Sequence, residues 1–566
     1  MDAVRTAASI AVGAYLARKR WQGQAFVTRA TDDPQLYQRR TLQGIVALNA
    51  ESSYGREHGF GTIQSIRAFQ DAVPINDYEA LRPYVDRIAD GSDPHALTTE
   101  DVQMFTNTSG TTSKPKLIPV TAFGRRVEAR VKDTWTANLV HDHPSILSGK
   151  WFYLFNKAEE YRTQGTLWVG SNAGLMYRNV PSIVRSLQAV PYEVCEVDDY
   201  ESRYYVILRH LLACDLSLMV AINPSSILLL AELIQQHAES LIKDIYGGGL
   251  RSGLALTQEQ YVFFNDRLAA DRVRARQLAR LLAADGRLLP SKYWPRLTVL
   301  GSWKGPGVNS FIEKCKAWFG DTPTRDVGYG SSEFRTGLVL SDDGSQNIPL
   351  PDNYFYEFIP EGDREPYLVG TKRPLLLPEI EQGARYLIVQ TGPHGLYRYN
   401  IEDIVEVNGM YNRTPTIQFV QKARLVTSIT GEKLYESQVV EAVERAVVGR
   451  PDLKPEFFIV YADVDASNYK LCIEYDEPRS EEQLAELLER FEAALGEVNI
   501  EYPYKRASMR LKYPEVFQLT AGTSVRFVQH LGRNAIMDNQ VKIPKLSKEF
   551  AAHAPVLGIE GKRVQA

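Results

Sequence analysis

Apolar residues recur at helical spacing through the first hundred positions, most clearly over residues 36–50. Ser53-Tyr54-Gly55 then predicts a turn. After residue 115 the pattern changes: residues 116–120 predict a strand and residues 122–139 a helix. Residues 151–156 and 216–222 are apolar runs of strand length. The second runs into Asn223-Pro224-Ser225-Ser226, which has the chemistry of a helix start. Residues 227–246 predict one long helix ended by Gly247-Gly248-Gly249, and residues 256–289 predict further helix rich in Arg and Ala. A second unit repeats the rhythm, with a strand at 297–300, a glycine-rich turn at 301–307 and an amphipathic helix at 308–319. Strand, tight turn and helix in succession mark an α/β sheet.

From residue 354 to 407 the pattern is that of strands, at 354–359, 385–390 and 404–407, separated by Asp, Gly and Pro. This predicts an antiparallel or barrel-like subdomain. From about residue 425 the character changes again. A helix to about 448, strands at 456–462 and 469–475, and an amphipathic helix at 480–498 are expected. The last carries Leu484, Leu487, Leu488, Phe491 and Leu495 on one face. The expected fold class is α/β. A large N-terminal adenylation domain over 1–425 holds the α/β sheets and the β-barrel-like subdomain, and a small, mobile α+β cap domain covers 426–566.

Composition adds limits. The chain has 566 residues, 44% apolar and 24% charged, ordinary for a globular protein with a sizeable core. A net charge of −4 gives no global attraction to nucleic acid or an anionic membrane. The apolar run at 7–16 is too short to span a bilayer, and its basic residues follow rather than precede it, which is the wrong order for a secretory signal. It predicts a helix packed on the large domain. Cys195, Cys214, Cys315 and Cys472 lie far apart, which argues against a zinc site of clustered cysteines and for reduced thiols in the cytoplasm. His141-Asp142-His143 has metal-compatible spacing, but it sits in a polar turn before Pro144 with no third ligand nearby.

Candidate chemistry concentrates in three stretches. The first is Phe105-Thr106-Asn107-Thr108-Ser109-Gly110-Thr111-Thr112-Ser113-Lys114-Pro115-Lys116. Such a run leaves backbone N–H groups free to face an anion, and its hydroxyls and lysines add donors and positive charge. A loop that holds nucleotide phosphates needs these groups, although the Walker pattern is absent. The second stretch is Gly328-Tyr329-Gly330-Ser331-Ser332-Glu333, directly after the strand-like Arg325-Asp326-Val327. The third is Gly395-Leu396-Tyr397-Arg398-Tyr399-Asn400-Ile401-Glu402-Asp403. Ligands of open α/β sheets bind at the carboxyl ends of strands, where the turns at 301–307 and 328–333 are expected.

The order of the three stretches resembles the adenylate-forming superfamily of acyl- and aryl-acid ligases. In detail the chain resembles the auxin-responsive Gretchen Hagen three family of acyl acid amido synthetases. These enzymes couple acids such as auxin or jasmonate to amino acids. Family-like stretches include Tyr54-Gly55-Arg56-Glu57-His58-Gly59-Phe60, Thr108-Ser109-Gly110-Thr111-Thr112, Tyr356-Glu357-Phe358-Ile359-Pro360, Gly431-Glu432-Lys433 and Gln540-Val541-Lys542-Ile543-Pro544.

The resemblance implies an ATP-dependent ligase that adenylates a carboxylic acid and passes the acyl group to an amino acid or amine, releasing AMP and pyrophosphate. It implies that Thr108, Ser109, Gly110, Thr111 and Thr112 hold the phosphates, with Gly330, Ser331 and Ser332 completing the nucleotide site. Glu333 would be the magnesium carboxylate, Tyr329 would flank adenine and Asp403 would bind the ribose hydroxyls. Lys542 would act at the adenylating centre, brought there by closure about a hinge near 422–430, with Lys545 as its rival. ATP and Mg2+ are the implied cofactors. The partners are a small-molecule acid and an amino acid or amine, with no nucleic acid and no membrane. Plant members carry an Arg and a Gly ahead of the aspartate, where this chain has Asn400 and Glu402. An acyl-CoA ligase of the same superfamily would share every adenylation residue, and a non-catalytic nucleotide-binding homologue would keep the fold. Both readings stay open at this level.

Overall fold

A parallel sheet carries the candidate turns. Its strands run in the order Lys150–Tyr153, Leu216–Val220, Val299–Ser302 and Thr324–Asp326, each neighbour parallel. Leu216–Val220 is buried at every position, as a strand covered on both faces must be, and this explains its unbroken apolar sequence. The computed structural model describes residues 2–108, 116–305, 309–342, 344, 346–423, 426–427, 429, 432, 434–463, 466–499, 501–507, 511–533 and 543–559. It divides into two compact units: Met1–Ile401 with Val405–Phe419, and Glu402–Ile404 with Val420–Ala566.

Local capping decides where helices stop and start. The long helix expected after Leu216–Val220 is two helices, Pro224–Gln236 and Ala238–Gly247, because His237 leaves helical geometry at φ −103° and ψ 15°. The stretch 256–289 also divides, into Gln258–Asn265 and Arg272–Asp285. Thr257 and Gln260 form a capping box for the first, and Asp271 accepts the Arg274 N–H at 2.8 Å to start the second. Ser53–Glu57 is a short helix rather than a turn, capped by Ser52 Oγ, which accepts the Gly55 N–H at 2.9 Å. A Cβ on Gly55 would lie 1.9 Å from the Asn49 carbonyl oxygen, so only glycine fits there.

The N-terminal helix Asp2–Asp32 packs on helix Ala122–Asp142, with Val12, Leu16 and Val27 in one cluster with Val131 and Trp135. The first unit also holds a two-stranded sheet, Gly337–Leu338 with Ile348–Pro349, and two larger ones. One has the order Lys116–Thr121, Val102–Thr108, Trp168–Val169, Tyr161–Arg162. The other has the order Leu375–Leu376, Phe355–Pro360, Arg385–Thr391, Tyr399–Tyr411, Thr414–Lys422.

Arg398 joins this last sheet to the N-terminal helices. Its Nε and Nη2 donate to the two oxygens of Glu357 at 2.9 and 3.0 Å. Its Nη1 donates to the carbonyls of Gln70 at 3.0 Å and Val73 at 2.6 Å. Both side chains are buried. The neighbouring Tyr397 hydroxyl donates to the Leu97 carbonyl, and its ring stacks on Tyr54 at 4.8 Å.

The second unit is a sheet in the order Glu515–Leu519, Asn468–Glu474, Phe457–Asp463, Leu546–Ser547. Helices Glu436–Ala446 and Glu481–Val498 cover one face, and the second buries Leu484, Leu487, Leu488, Phe491 and Leu495 as its periodicity predicts. Phe527 and Leu557 help to cover the other. Among the described residues no helix is long and apolar enough to cross a membrane.

Arg398→Met is expected to cost about 3–5 kcal/mol, because it leaves the Glu357 carboxylate buried and unpaired. The double variant Arg398→Met/Glu357→Leu recovers much of that loss. Urea unfolding followed by fluorescence measures both.

Candidate active site

Strand Thr324–Asp326 ends in a carboxylate that organises two turns at once. Asp326 Oδ1 accepts the Gly328 N–H at 2.8 Å, and the Lys304 backbone N–H also donates to its side chain. Burial pushes this carboxyl up to about 6. The turns after Val299–Ser302 and Thr324–Asp326 are thus tied together at the carboxyl edge of the parallel sheet, where such folds bind ligands. Gly328 has φ +89°, and a Cβ there would lie 2.7 Å from the Gly337 carbonyl oxygen. Glycine is therefore required by both conformation and space.

The rest of the turn is equally constrained. The Tyr329 N–H donates to Asn347 Oδ1, and its carbonyl accepts the Gly337 N–H at 2.7 Å. The Tyr329 ring is 4% exposed and stacks on Phe419 at 6.1 Å, and Trp303 meets Phe419 edge-on at 5.7 Å. Ser331 Oγ accepts the N–H groups of Glu333 and Phe334, each at 3.2 Å, and the Ser331 N–H donates to the Phe334 carbonyl at 2.8 Å. Ser331 thus closes the turn through its own side chain. Gly330 is exposed, and the side chains of Ser332 and Glu333 are partly exposed. The hydrogen bonds that close the turn come from backbone and Ser331, so the Glu333 carboxylate is not consumed in building it.

His394 fixes the turn from beneath. Its ring hydrogen-bonds with the Glu333 backbone and lies edge-on to Phe334 at 5.3 Å. Burial pulls its pKa down to about 4, so the imidazole is neutral at pH 7. A buried Arg325 anchors the strand itself, pairing with Asp142 at 2.7 Å and with Asp342. Asp342 also meets His143 Nε2 at 2.6 Å. Asp142 and His143, noted for their metal-compatible spacing, are therefore engaged by Arg325 and Asp342.

The remaining sequence candidates fall as follows. Thr108 ends strand Val102–Thr108, which pairs antiparallel with Lys116–Thr121 and brings Thr108 opposite Lys116. The Tyr78 hydroxyl pins that second strand, accepting the Leu117 N–H at 2.7 Å. Ser109, Gly110, Thr111 and Thr112 lie outside the described residues, as does Lys542. Asp403 belongs to the second compact unit, is buried, and pairs with Lys422 Nζ at 2.5 Å. Glu402 just before it adopts φ +61°, and its carbonyl accepts the Ala423 N–H at 2.6 Å. Lys545 donates its Nζ to the Phe458 carbonyl at 3.2 Å and lies over the Phe458 ring at 4.6 Å. Tyr397 and Arg398 of the third stretch are buried structural groups.

Sequence reading missed four polar side chains near the turn: Glu128, Lys132, Asn172 and Arg335. The signal was present. Glu128 and Lys132 form an i, i+4 pair interleaved with Val127 and Val131, which are buried positions of helix Ala122–Asp142.

The fold and site define a mixed α/β chain with glycine-containing turns at the carboxyl edge of a parallel sheet and a smaller α+β unit. The GH3 family N-terminal domain matches residues 24–324, the GH3 family central domain residues 347–422 and the GH3 family C-terminal domain residues 437–550. The chain belongs to the GH3 family, as the motif order indicated. It is 27% identical to a jasmonoyl–L-amino acid synthetase of Nicotiana attenuata, over 77% of this chain and 77% of that one. It is 28% identical to a probable indole-3-acetic acid-amido synthetase of Arabidopsis thaliana, over 74% of this chain and 72% of that one. Its fold is that of the GH3.15 acyl acid amido synthetase, with a TM-score of 0.83 at 21% identity over 94% of this chain and 95% of that one.

His394→Gln removes a group that the unfolded chain protonates near pH 6.5 and the folded chain only near pH 4. The folded state therefore loses stability relative to the unfolded one as pH falls through that window. The stability difference between wild type and variant is expected to shrink by up to about 3 kcal/mol between pH 7 and pH 4. Urea titrations of both proteins at stepped pH measure it.

Proposed function

We propose that this chain is an ATP-dependent acyl acid amido synthetase. It adenylates a carboxylic acid and transfers the acyl group to an amino acid or amine. The observation that carries the reading is the family match over N-terminal, central and C-terminal domains, joined to a shaped turn at Gly328–Glu333. The names of the amino acid-conjugating relatives point the same way.

A carboxylate does not react with an amine at neutral pH until it carries a leaving group. In the first step a carboxylate oxygen of the acid attacks the α-phosphorus of ATP, and pyrophosphate leaves. In the second, the amine nitrogen attacks the acyl carbon, loses a proton, and AMP departs with the bridging oxygen. Negative charge builds on phosphate oxygens in the first step, so fixed donors and cations aimed at it are the main catalytic lever. Thr108, Ser109, Gly110, Thr111 and Thr112 would supply donors around the phosphates. Gly330, with no side chain, would let the nucleotide approach the turn, and Ser332 would flank it. Tyr329, already stacked on Phe419, would offer a rigid edge beside adenine. Asp403 would accept from both ribose hydroxyls once Lys422 yields one oxygen.

A partly exposed carboxylate that its own turn does not consume fits Mg2+, which takes one or two carboxylates together with phosphates and water. Glu333 would hold the ion, which when bound neutralises phosphate charge. Lys542 is the proposed cation of the adenylating centre. Lys545 is the poorer choice because its ammonium already serves the Phe458 carbonyl. We place the large adenylation domain at 1–425 and the mobile cap at 426–566, with closure excluding water from the adenylate. The setting is cytoplasmic, in keeping with four cysteines of which none forms a disulfide.

The test is pyrophosphate release with Mg-ATP across carboxylic acids, with and without each amino acid and coenzyme A. Release that rises with one acid and one amino acid is expected. Glu333→Gln and Lys542→Ala are each expected to lower it about 100-fold or more, whereas Lys545→Ala lowers the melting temperature and leaves the rate within a few-fold. Release that requires coenzyme A makes the chain an acyl-CoA ligase, and ATP binding without any release makes it a non-catalytic homologue.

A further inference from the structure

The N-terminal helix Asp2–Asp32 is apolar on two opposite sides. One side is covered: Val12, Leu16 and Val27 are buried in one cluster with Val131 and Trp135 of helix Ala122–Asp142. The other side carries Ile10, Ala14, Ala17 and Trp21, which recur at i, i+4, i+7 and i+11 and are all exposed. Ile10 is 68% and Trp21 72% exposed. At the helical rise the two stand about 16 Å apart along one line. A surface helix ordinarily turns polar residues to water on this side, and a helix that is apolar all round is ordinarily covered all round.

Charge indicates what covers it. Between Asp2 and Asp32 the helix holds Arg5, Arg18, Lys19, Arg20 and Arg29 and no acidic residue, in a chain whose net charge is −4. Lys19 pairs with Asp133 at 2.8 Å, and Arg20 donates to Asn138 at 3.2 Å. Arg18 is exposed at the border of the apolar stripe, and Arg29 is exposed about two turns beyond Trp21. Asp32 and Asp33 lie past the stripe, where Asp33 caps the next helix. Among the described residues, the helices packed on this one offer no opposing charge. Ser182–Arg185 places Ile183 and Val184 in the same cluster as Val12 and exposes Arg185. Pro144–Ser148 and Pro34–Leu48 contain no acidic residue, and the second exposes Arg39 and Arg40. The acids of helix Ala122–Asp142 are engaged: Asp133 by Lys19, Asp142 by Arg325 and Glu128 by Asn172.

An exposed apolar stripe bordered by arginine and free of carboxylates matches the surface of an anionic lipid bilayer. Trp is the side chain whose ring settles at the level of the headgroups, and small alanines let the helix axis lie close to that layer. Arginines beside the stripe meet lipid phosphates and carboxylates. A second copy of this chain seated on the same stripe would instead set Arg18 of one copy against the like charges of the other.

We propose that helix Asp2–Asp32 is a peripheral membrane contact that lays its Ile10–Trp21 face on bilayers carrying anionic lipid. Such a contact needs no spanning helix, and it follows the local charge rather than the net charge of the chain. One short stripe and a few arginines make it reversible and sensitive to salt. The assignment is independent of the amido synthetase reading.

The experiment is co-sedimentation of the full chain with sucrose-loaded vesicles, either of phosphatidylcholine alone or of phosphatidylcholine and phosphatidylserine in equal parts. Partition onto the mixed vesicles at low salt is expected to be about ten-fold or more above that onto phosphatidylcholine, and to fall as salt rises. Trp21→Ala and Arg18→Glu each lower it about five-fold or more, with the melting temperature unchanged because both side chains are exposed. Trp21→Phe keeps partition within about three-fold and removes the vesicle-induced blue shift of tryptophan emission. The assignment is overturned by sedimentation with neither vesicle, by equal sedimentation with both, or by partition that ignores both Trp21→Ala and Arg18→Glu. Dimerisation without vesicles that Trp21→Ala abolishes also overturns it, because a second copy then covers the stripe.

Discussion

The first unit depends on one buried ion pair. Arg398 and Glu357 both lie in the core, and the pair survives there because nearly every polar atom has a partner. Two guanidinium nitrogens face the carboxylate, and a third faces the Gln70 and Val73 carbonyls. Gln70 Nε2 adds a donor to Glu357 Oε1 at 2.9 Å. Such an arrangement contributes little net stability compared with apolar packing, but it tolerates only one geometry. It therefore fixes the register between the N-terminal helices and the sheet that contains Phe355–Pro360 and Tyr399–Tyr411. Tyr397 adds its hydroxyl and its stacked ring at the same junction.

The candidate turn follows the same logic on a smaller scale. Asp326 holds two strand-end turns by their backbone N–H groups, Asn347 holds Tyr329, Ser331 closes the turn, and His394 supports it while uncharged. Each group is consumed in fixing backbone. The parts left over are an exposed glycine and two partly exposed side chains, Ser332 and Glu333. Rigid support beneath and available groups above is the arrangement that electrostatic catalysis at a phosphate requires, because donors fixed in advance need no reorganisation when charge develops.

Some motif residues carry fold rather than chemistry. Arg398 and Tyr397 stand in the third stretch beside Asp403, yet both are buried among backbone carbonyls. Glu402, just before Asp403, takes a left-handed backbone conformation. For a non-glycine residue that conformation costs roughly 1–2 kcal/mol, so the surrounding fold holds it there against the preference of the side chain.

The sequence by itself determined the family, the α/β rhythm and the two strand-end turns, because motif order, apolar runs and glycine positions are properties of short segments. It also determined the apolar face of Glu481–Val498, whose period needs no knowledge of the partner sheet. It did not determine the break at His237 or the start at Asp271, since helix ends turn on single capping hydrogen bonds that compete with good helical propensity on both sides. Only the tertiary structure decided that Glu128, Lys132, Asn172 and Arg335 belong together, because they come from three separate segments of chain. Only it showed Lys545 to be engaged with Phe458 and Tyr329 with Phe419. Whether a polar residue packs, supports or faces a cavity is set by what the rest of the fold brings against it, and residue type and spacing carry no record of that.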